Sequence, residues 1–415
     1  MKLFLRKIVF LGLFFLITIA GVEFTLRILN PPSLQYYRDV KLLHAYHKDY
    51  GVTLQANESR FVKHHAGLWE GQFTTNSLGL RGLEEPNPAT YKIFCLGDSM
   101  VMGFGVSDQE TFCSLLNGVS IQGTTYQTLN LGVDAYGSLG DAKRLEDISQ
   151  KVTNVREVLF FISPNDFAMP EVLRNQGILP DDELDAIHEN DPNWKQNFKL
   201  QFEATRISFF LQALKLAYEQ TVIIWAQNKL AGKKEITSAI FSPLEYLHDT
   251  FFFTVHKKKC KGDTYIDPHI CPEPIPTNEF TCLDKAPNPN TLPELTPTTI
   301  GAYEKMLELS KKHNFRLRPV AIPVQVEEIY CYLNGKYHPL GNYAIRAKKY
   351  WESKGVPLID LTKYTKSMCG TDTVINDKSF KTKIRDYFIP GDGHLTKLGN
   401  QWVADSIKKE LGAEN

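Results

Sequence analysis

Downstream of residue 90 the chain alternates two apolar patterns. Short, largely apolar runs at 91–96, 126–133, 157–162, 316–322 and 356–361 have the length and β-branched or aromatic content of buried strands. Between them, 110–116, 137–150, 296–312, 343–353 and 395–411 carry helical spacing; Leu139, Ala142, Leu145 and Ile148 fall on one face of the second. Strand–helix alternation predicts an α/β domain whose mostly parallel sheet is covered on both faces. Pro319 sits awkwardly in the fourth strand, since proline cannot donate to a ladder.

The other long apolar stretch is at the N-terminus. Lys2, Arg6 and Lys7 precede an uncharged run from Ile8 to Val22, and the pattern continues through Phe24, Leu26, Ile28 and Leu29 to Pro31-Pro32. That approaches the ~20 residues a membrane span needs. Thr18 and Ala20 make a poor small-x-small cleavage site, so residues 1–30 read as a signal anchor, with secretion after cleavage as the alternative. Positive-inside orientation then puts the remainder on the extracytoplasmic, periplasmic side of the inner membrane.

Residues 31–90 read as an irregular lead-in, with a turn-rich segment at 75–82 delivering the chain to the first strand and His64-His65 on a solvated loop. Residues 91–415 form the main domain, interrupted by an insertion at 167–295. That insertion holds an acidic loop (Asp181, Asp182, Glu183, Asp185), a long helix expected over 202–230, an aromatic run at Phe251–Phe253 and a Pro- and Lys-rich, cysteine-bearing loop. The long helix fits the spine of a cap over the sheet edge, or a segment lying on the bilayer.

Composition narrows the function classes. Lys plus Arg equals Asp plus Glu, 47 against 47, so no basic footprint for nucleic acid is visible. Seven cysteines suit an oxidising compartment. Cys95 and Cys113 read as small buried hydrophobes. One or two disulfides are expected among Cys260, Cys271, Cys282, Cys331 and Cys369, whose spacings do not match zinc ligand pairs.

Candidate chemistry collects at strand ends. The first strand stops on Gly97-Asp98-Ser99, the second on Gly132, the third leads into Pro164-Asn165-Asp166, and a Gly-rich loop at 390–393 places His394 before the last helix. Gly97-Asp98-Ser99 with Gly103-Phe104-Gly105, the segment 130–137, Pro164-Asn165-Asp166 and the His394 loop resemble, in order, the blocks of the SGNH (GDSL) hydrolase superfamily. The segment 76–82 is similar to that preceding the first block in its membrane-anchored bacterial members. The resemblance spans 75–165 and 298–411 and leaves out the insertion. It implies a three-layer sandwich with a mostly parallel, flavodoxin-like sheet. It also implies Ser99 as nucleophile, His394 as base, and an oxyanion hole from the N–H groups of Ser99 and Gly132 and the Asn165 amide.

The sequence departs from the family where an orienting aspartate is expected three residues before the histidine: Gly391 stands there. Asp392 is the nearest substitute, the alternative being a backbone carbonyl. Asp98 and Asp134 read as turn or supporting residues. The resemblance implies a serine esterase working through an acyl-enzyme without metal or other cofactor. Its expected substrates are O-acyl groups, O-acetyl above all, on envelope or secreted carbohydrate, by hydrolysis or transfer. A lysophospholipase or other lipid esterase is the runner-up, and a catalytically silent glycan-binding module represents a different class. Oligomeric state is not legible.

Overall fold

A computed structural model describes residues 2–49, 51–134, 136–163, 191–218, 282–324, 326–375, 378–389 and 393–414. Asn165, Asp392, the acidic loop and Phe251–Phe253 lie outside the described residues.

Helix α1 (Lys2–Leu29) leads into α2 (Pro32–Leu42). The short strands β1 (His44–His47), β2 (Gly51–Leu54), β3 (Ser59–Lys63) and β4 (Glu70–Thr74) follow as antiparallel pairs. Residues 31–90 are therefore not irregular. Pro31 follows the end of α1, and Pro32 opens α2 at a position where its missing N–H costs nothing.

The main sheet is built from β5 (Tyr91–Leu96), β6 (Ser120–Ile121), β7 (Thr124–Asn130), β8 (Val155–Ile162), β9 (Arg316–Ala321), β10 (Ile359–Asp360) and β13 (Ala413–Glu414); a separate hairpin contains β11 (Asp372–Ile375) and β12 (Lys378–Lys381). Its order is β10-β9-β8-β5-β7-β6-β13. β10 through β7 are parallel, and β6 and β13 turn antiparallel at one edge, so the sheet is mixed. Pro319 is accommodated because β10 pairs with β9 only at Val320 and Ala321.

Alternate residues of β5 feed opposite cores. Ile93 and Cys95 join a cluster with Phe112, Ile329 and Trp402, while Phe94 and Leu96 join Leu145, Met306 and Trp351. The first face is covered by α4 (Phe112–Leu115), α8 (Val326–Leu333) and α10 (Lys397–Leu411). The second is covered by α5 (Ser138–Lys151), α7 (Pro297–His313) and α9 (Asn342–Ser353). From β5 the chain goes to β7 on one side and then returns to β8 on the other. The carboxyl end of β5 is thus a switch point, where open α/β sheets leave a crevice.

Two local expectations, at Cys95 with Cys113 and at His64, are overturned, while a disulfide expected among the later cysteines is present. Cys95 and Cys113 are disulfide-bonded to each other, tying β5 to α4, because the strand's inward face brings their Cα atoms to 6.1 Å. Cys282 pairs with Cys331, and Cys369 is disulfide-bonded as well. His64 is buried rather than solvated, its ring 5.0 Å from Tyr36 and 5.6 Å from Trp69.

The long insertion helix starts earlier than expected and is broken. Helix α6 (Pro192–Ile207) begins at an Asp191 cap with proline in its first turn, and stops at Ser208 in an extended conformation. Helical backbone resumes over 209–218. The break is held by α1: Glu23 accepts from Ser208 Oγ (2.9 Å), Phe209 N (3.1 Å) and Phe210 N (2.8 Å), while Arg27 donates to Ile207 O at 2.7 Å.

Candidate active site

Ser99 opens α3 (Ser99–Met102), the single turn that follows β5. Asp98 caps it, accepting from Met100 N at 2.9 Å, which leaves the Ser99 N–H in a first turn without an intrahelical acceptor. Gly97 is required at the preceding corner: a Cβ there would meet Val101 Cγ2 at 2.6 Å and Phe161 O at 3.0 Å.

His394 comes from the other end of the chain. Its carbonyl accepts Ile389 N–H at 2.7 Å, and the bridge between Phe388 and Leu395 closes the turn below it. Thr396 caps α10 by accepting from Gly399 N. Across 295 positions His394 Nε2 lies 2.7 Å from Ser99 Oγ, with both residues half-buried. That distance suits an O–H donated to an imidazole nitrogen. The Phe104 ring, 5.3 Å from the imidazole, packs on it and belongs to the same apolar cluster as Trp69, Met102 and Ile389.

Gly132 is beside them, for a different reason than ligand approach. A Cβ at Gly132 would collide with Met102 N and come within 2.7 Å of Val101 C, so glycine is demanded by backbone packing against α3. Its N–H donates to Asn130 Oδ1 at 2.9 Å, so this expected oxyanion donor is already engaged. Asn130 Nδ2 donates to Val101 O at 2.7 Å and its backbone carbonyl accepts from Arg81 N, so one residue fastens β7, α3 and the 75–82 turn. The two remaining site residues expected from the sequence, Asn165 and Asp392, lie outside the described residues.

The lead-in contributes more than delivery. Arg81, buried, makes a 2.6 Å ion pair with Asp108, donates to Val106 O and lies over the Phe73 ring. Burial pulls its pKa down to about 10, still fully charged at neutral pH. Arg144 donates to Leu131 O, Thr53 Oγ1 and Gly79 O, joining β2, the turn and the loop after β7.

The sequence reading missed a charged pair. His44 Nδ1 faces Val40 O at 2.7 Å and Nε2 faces an Asp134 carboxylate oxygen. Both ring nitrogens meet acceptors, so both carry protons and the ring is an imidazolium. Burial opposes charge on His44, but Asp134 outweighs it and raises the imidazole pKa above its ordinary value. Burial likewise opposes charge on Asp134, yet His44 and, more weakly, His394 hold its carboxyl below the usual range. No motif spacing signals His44, which reaches the site only through the fold of α2 and β1.

Beyond Asp134 opens a cavity of about 510 Å³ between the lead-in, α5 and α6. Asp134 and His44 line it, whereas Ser99 and His394 do not. Among the described residues no cluster of three or more His, Cys, Asp or Glu is arranged for a metal ion.

These features define an α/β protein with a Ser–His contact at the switch point of its sheet. No protein-family model matches the sequence, and no curated protein matches it. Among solved structures, the chain is similar to a member of the lipolytic protein G-D-S-L family from Veillonella parvula DSM 2008. The identity is 11%, the match covers 63% of this chain and 97% of that one, and the TM-score is 0.17. Similarity at that level does not assign the chain to the family.

Proposed function

We propose that the chain is a serine esterase or acyltransferase of SGNH type, acting through an acyl-enzyme. The observation that carries this reading is the 2.7 Å contact between Ser99 Oγ and His394 Nε2 at the carboxyl end of β5. Ser99 Oγ attacks the ester carbonyl as His394 Nε2 takes its proton, forming the Oγ–acyl bond. The same proton passes to the leaving alkoxide as the ester C–O bond breaks. Water or a sugar hydroxyl then takes the acyl group by the reverse sequence. The charge developing on the carbonyl oxygen is assigned to the Ser99 N–H and the Asn165 amide, and to the Gly132 N–H once released from Asn130. Asp392 is assigned to the imidazole, with the Asp134 charge supporting the imidazolium formed during transfer.

Within α1, Phe4–Leu29 has a mean hydropathy of 2.3, long and apolar enough for a membrane anchor or a signal sequence. The disulfides favour an extracytoplasmic compartment. In that setting O-acyl groups on envelope or secreted carbohydrate are the preferred substrates. The apolar cavity beside Asp134 favours a second reading, an ester carried by a lipid.

Full-length enzyme should release acetate from acetylated polysaccharide, and Ser99→Ala should lose that activity by at least about 10³-fold. Release of fatty acid from lysolipid alone would move the assignment to the second reading. Release of neither from folded enzyme would leave the binding module.

A further inference from the structure

The cavity beyond Asp134 has a volume within the ~300–1,000 Å³ common for ligand sites. One wall is aromatic: Tyr46, Tyr136, Trp194, Phe198 and Phe202, with Trp194 stacked on Phe198 at 4.9 Å between ring centres. Against this apolar wall stand Lys48 and Lys195, together with the His44 imidazolium; Lys41 Nζ is taken up by Thr205 Oγ1 and Gln212 Oε1, and Lys143 Nζ by Asp49 O. Among the described residues, the acidic members of the lining are Asp134, occupied by His44, and Asp49, 4.0 Å from His47. Greasy walls beside ammonium groups suit neither a neutral sugar nor a plain hydrocarbon.

Its location adds a source. The helices that roof the cavity, α6 and 209–218, are the ones gripped at their break by Glu23 and Arg27, in the last turns of α1. The span Phe4–Leu29 is about 39 Å long at 1.5 Å per residue, enough to cross a hydrocarbon core of about 30 Å and end at its surface. These roof helices also expose Leu200 (69%), Ile207 (72%), Leu214 (52%) and Tyr218 (71%) away from the protein. Exposed leucine, isoleucine and tyrosine beside the end of an anchor are what an interfacial helix presents to headgroups and acyl chains.

We propose that the cavity binds a single-chain anionic amphiphile drawn from the bilayer, its hydrocarbon chain along the Trp194–Phe198 wall and its phosphate or carboxylate at Lys48 and Lys195. This goes beyond the esterase reading and does not depend on Ser99 being reactive.

The test uses full-length protein in phosphatidylcholine nanodiscs, doped with either of two probes carrying the same diazirine-tagged acyl chain. One is a lysophosphatidate and the other an uncharged monoacylglycerol. After photolysis, peptides covering 136–143 and 194–202 should carry the lysophosphatidate label at least about fivefold above the monoacylglycerol label, each normalised to labelling of α1. Lys48→Glu combined with Lys195→Glu should bring that ratio towards one. Ser99→Ala should keep it, which separates failure of this site from failure of the proposed chemistry. Label confined to α1, or equal cavity labelling by both probes, would overturn the proposal.

Discussion

Two regions meet at Asp134 and are built in opposite ways. On the Ser99 side, position is set by backbone: Gly97 and Gly132 allow contacts that any Cβ would block, and Asn130 ties strand to turn. On the α1 side, a cavity is walled by aromatic rings and lysines contributed mainly by the lead-in and α6, with Tyr136 and Lys143 from the α5 region. The first region fixes atoms to fractions of an ångström. The second offers bulk and charge that can be exchanged without moving the sheet. The proposed chemistry thus falls where the fold is least forgiving, and the proposed amphiphile site where it is most adjustable.

That contrast is broken most forcefully at Gly132. Gly132→Ala should cost about 3 kcal/mol in chemical denaturation and about 10² in esterase activity, because α3 must shift with Ser99 on it. A variant with wild-type stability and activity would show that the backbone contact is loose.

A buried acid sharpens the comparison. Glu328, in α8 after β9, is pushed up to about 8, first by burial and then by the charge of Asp360. A carboxyl whose pKa rises on folding stabilises below its unfolded value and loses that contribution as pH climbs through the folded value. Stability should thus fall between about pH 4.5 and pH 8, and Glu328→Gln should flatten the fall by about 5 kcal/mol at pH 9. An unchanged pH profile in equilibrium unfolding would contradict this.

The seam between the regions should respond least. His44, with its pKa raised, contributes fully below its unfolded value and less as pH rises through the folded one. Asp134, with its pKa lowered, contributes above its unfolded value and fades as pH falls through the folded one. His44→Gln should lose about 1–2 kcal/mol near pH 6 and less at alkaline pH, since Asp134 is partly exposed and screened. A loss that grows with pH would reverse the assigned charge on His44.

Legibility in the sequence follows the same divide. β5 and the helix α5 were readable because long buried segments carry a clear period, and their ends lie close to those expected. The antiparallel sheet edge was not, because β6 and β13 are only two residues each. The hairpins β1–β2 and β3–β4 escaped for a related reason: they are held by a shared cluster with Trp69, Phe73 and Met102 rather than by alternation of their own. The break at Ser208 is imposed from α1 through Glu23, a tertiary cause no local pattern announces, although Asp191-Pro192 did mark the true helix start. Ser99 and His394 were legible as motifs and their contact follows from topology. The pairing of His44 with Asp134, and the prior engagement of Gly132, exist only in three dimensions.

The central claim is that Ser99 is a nucleophile driven by His394. Full-length protein should be treated with a fluorophosphonate and the adduct mapped by mass spectrometry. One adduct on Ser99 is predicted, absent in Ser99→Ala and formed at least about 10³-fold more slowly in His394→Ala. Folded wild-type protein that takes up no label, or that carries it elsewhere with Ser99→Ala labelled equally, would contradict the claim.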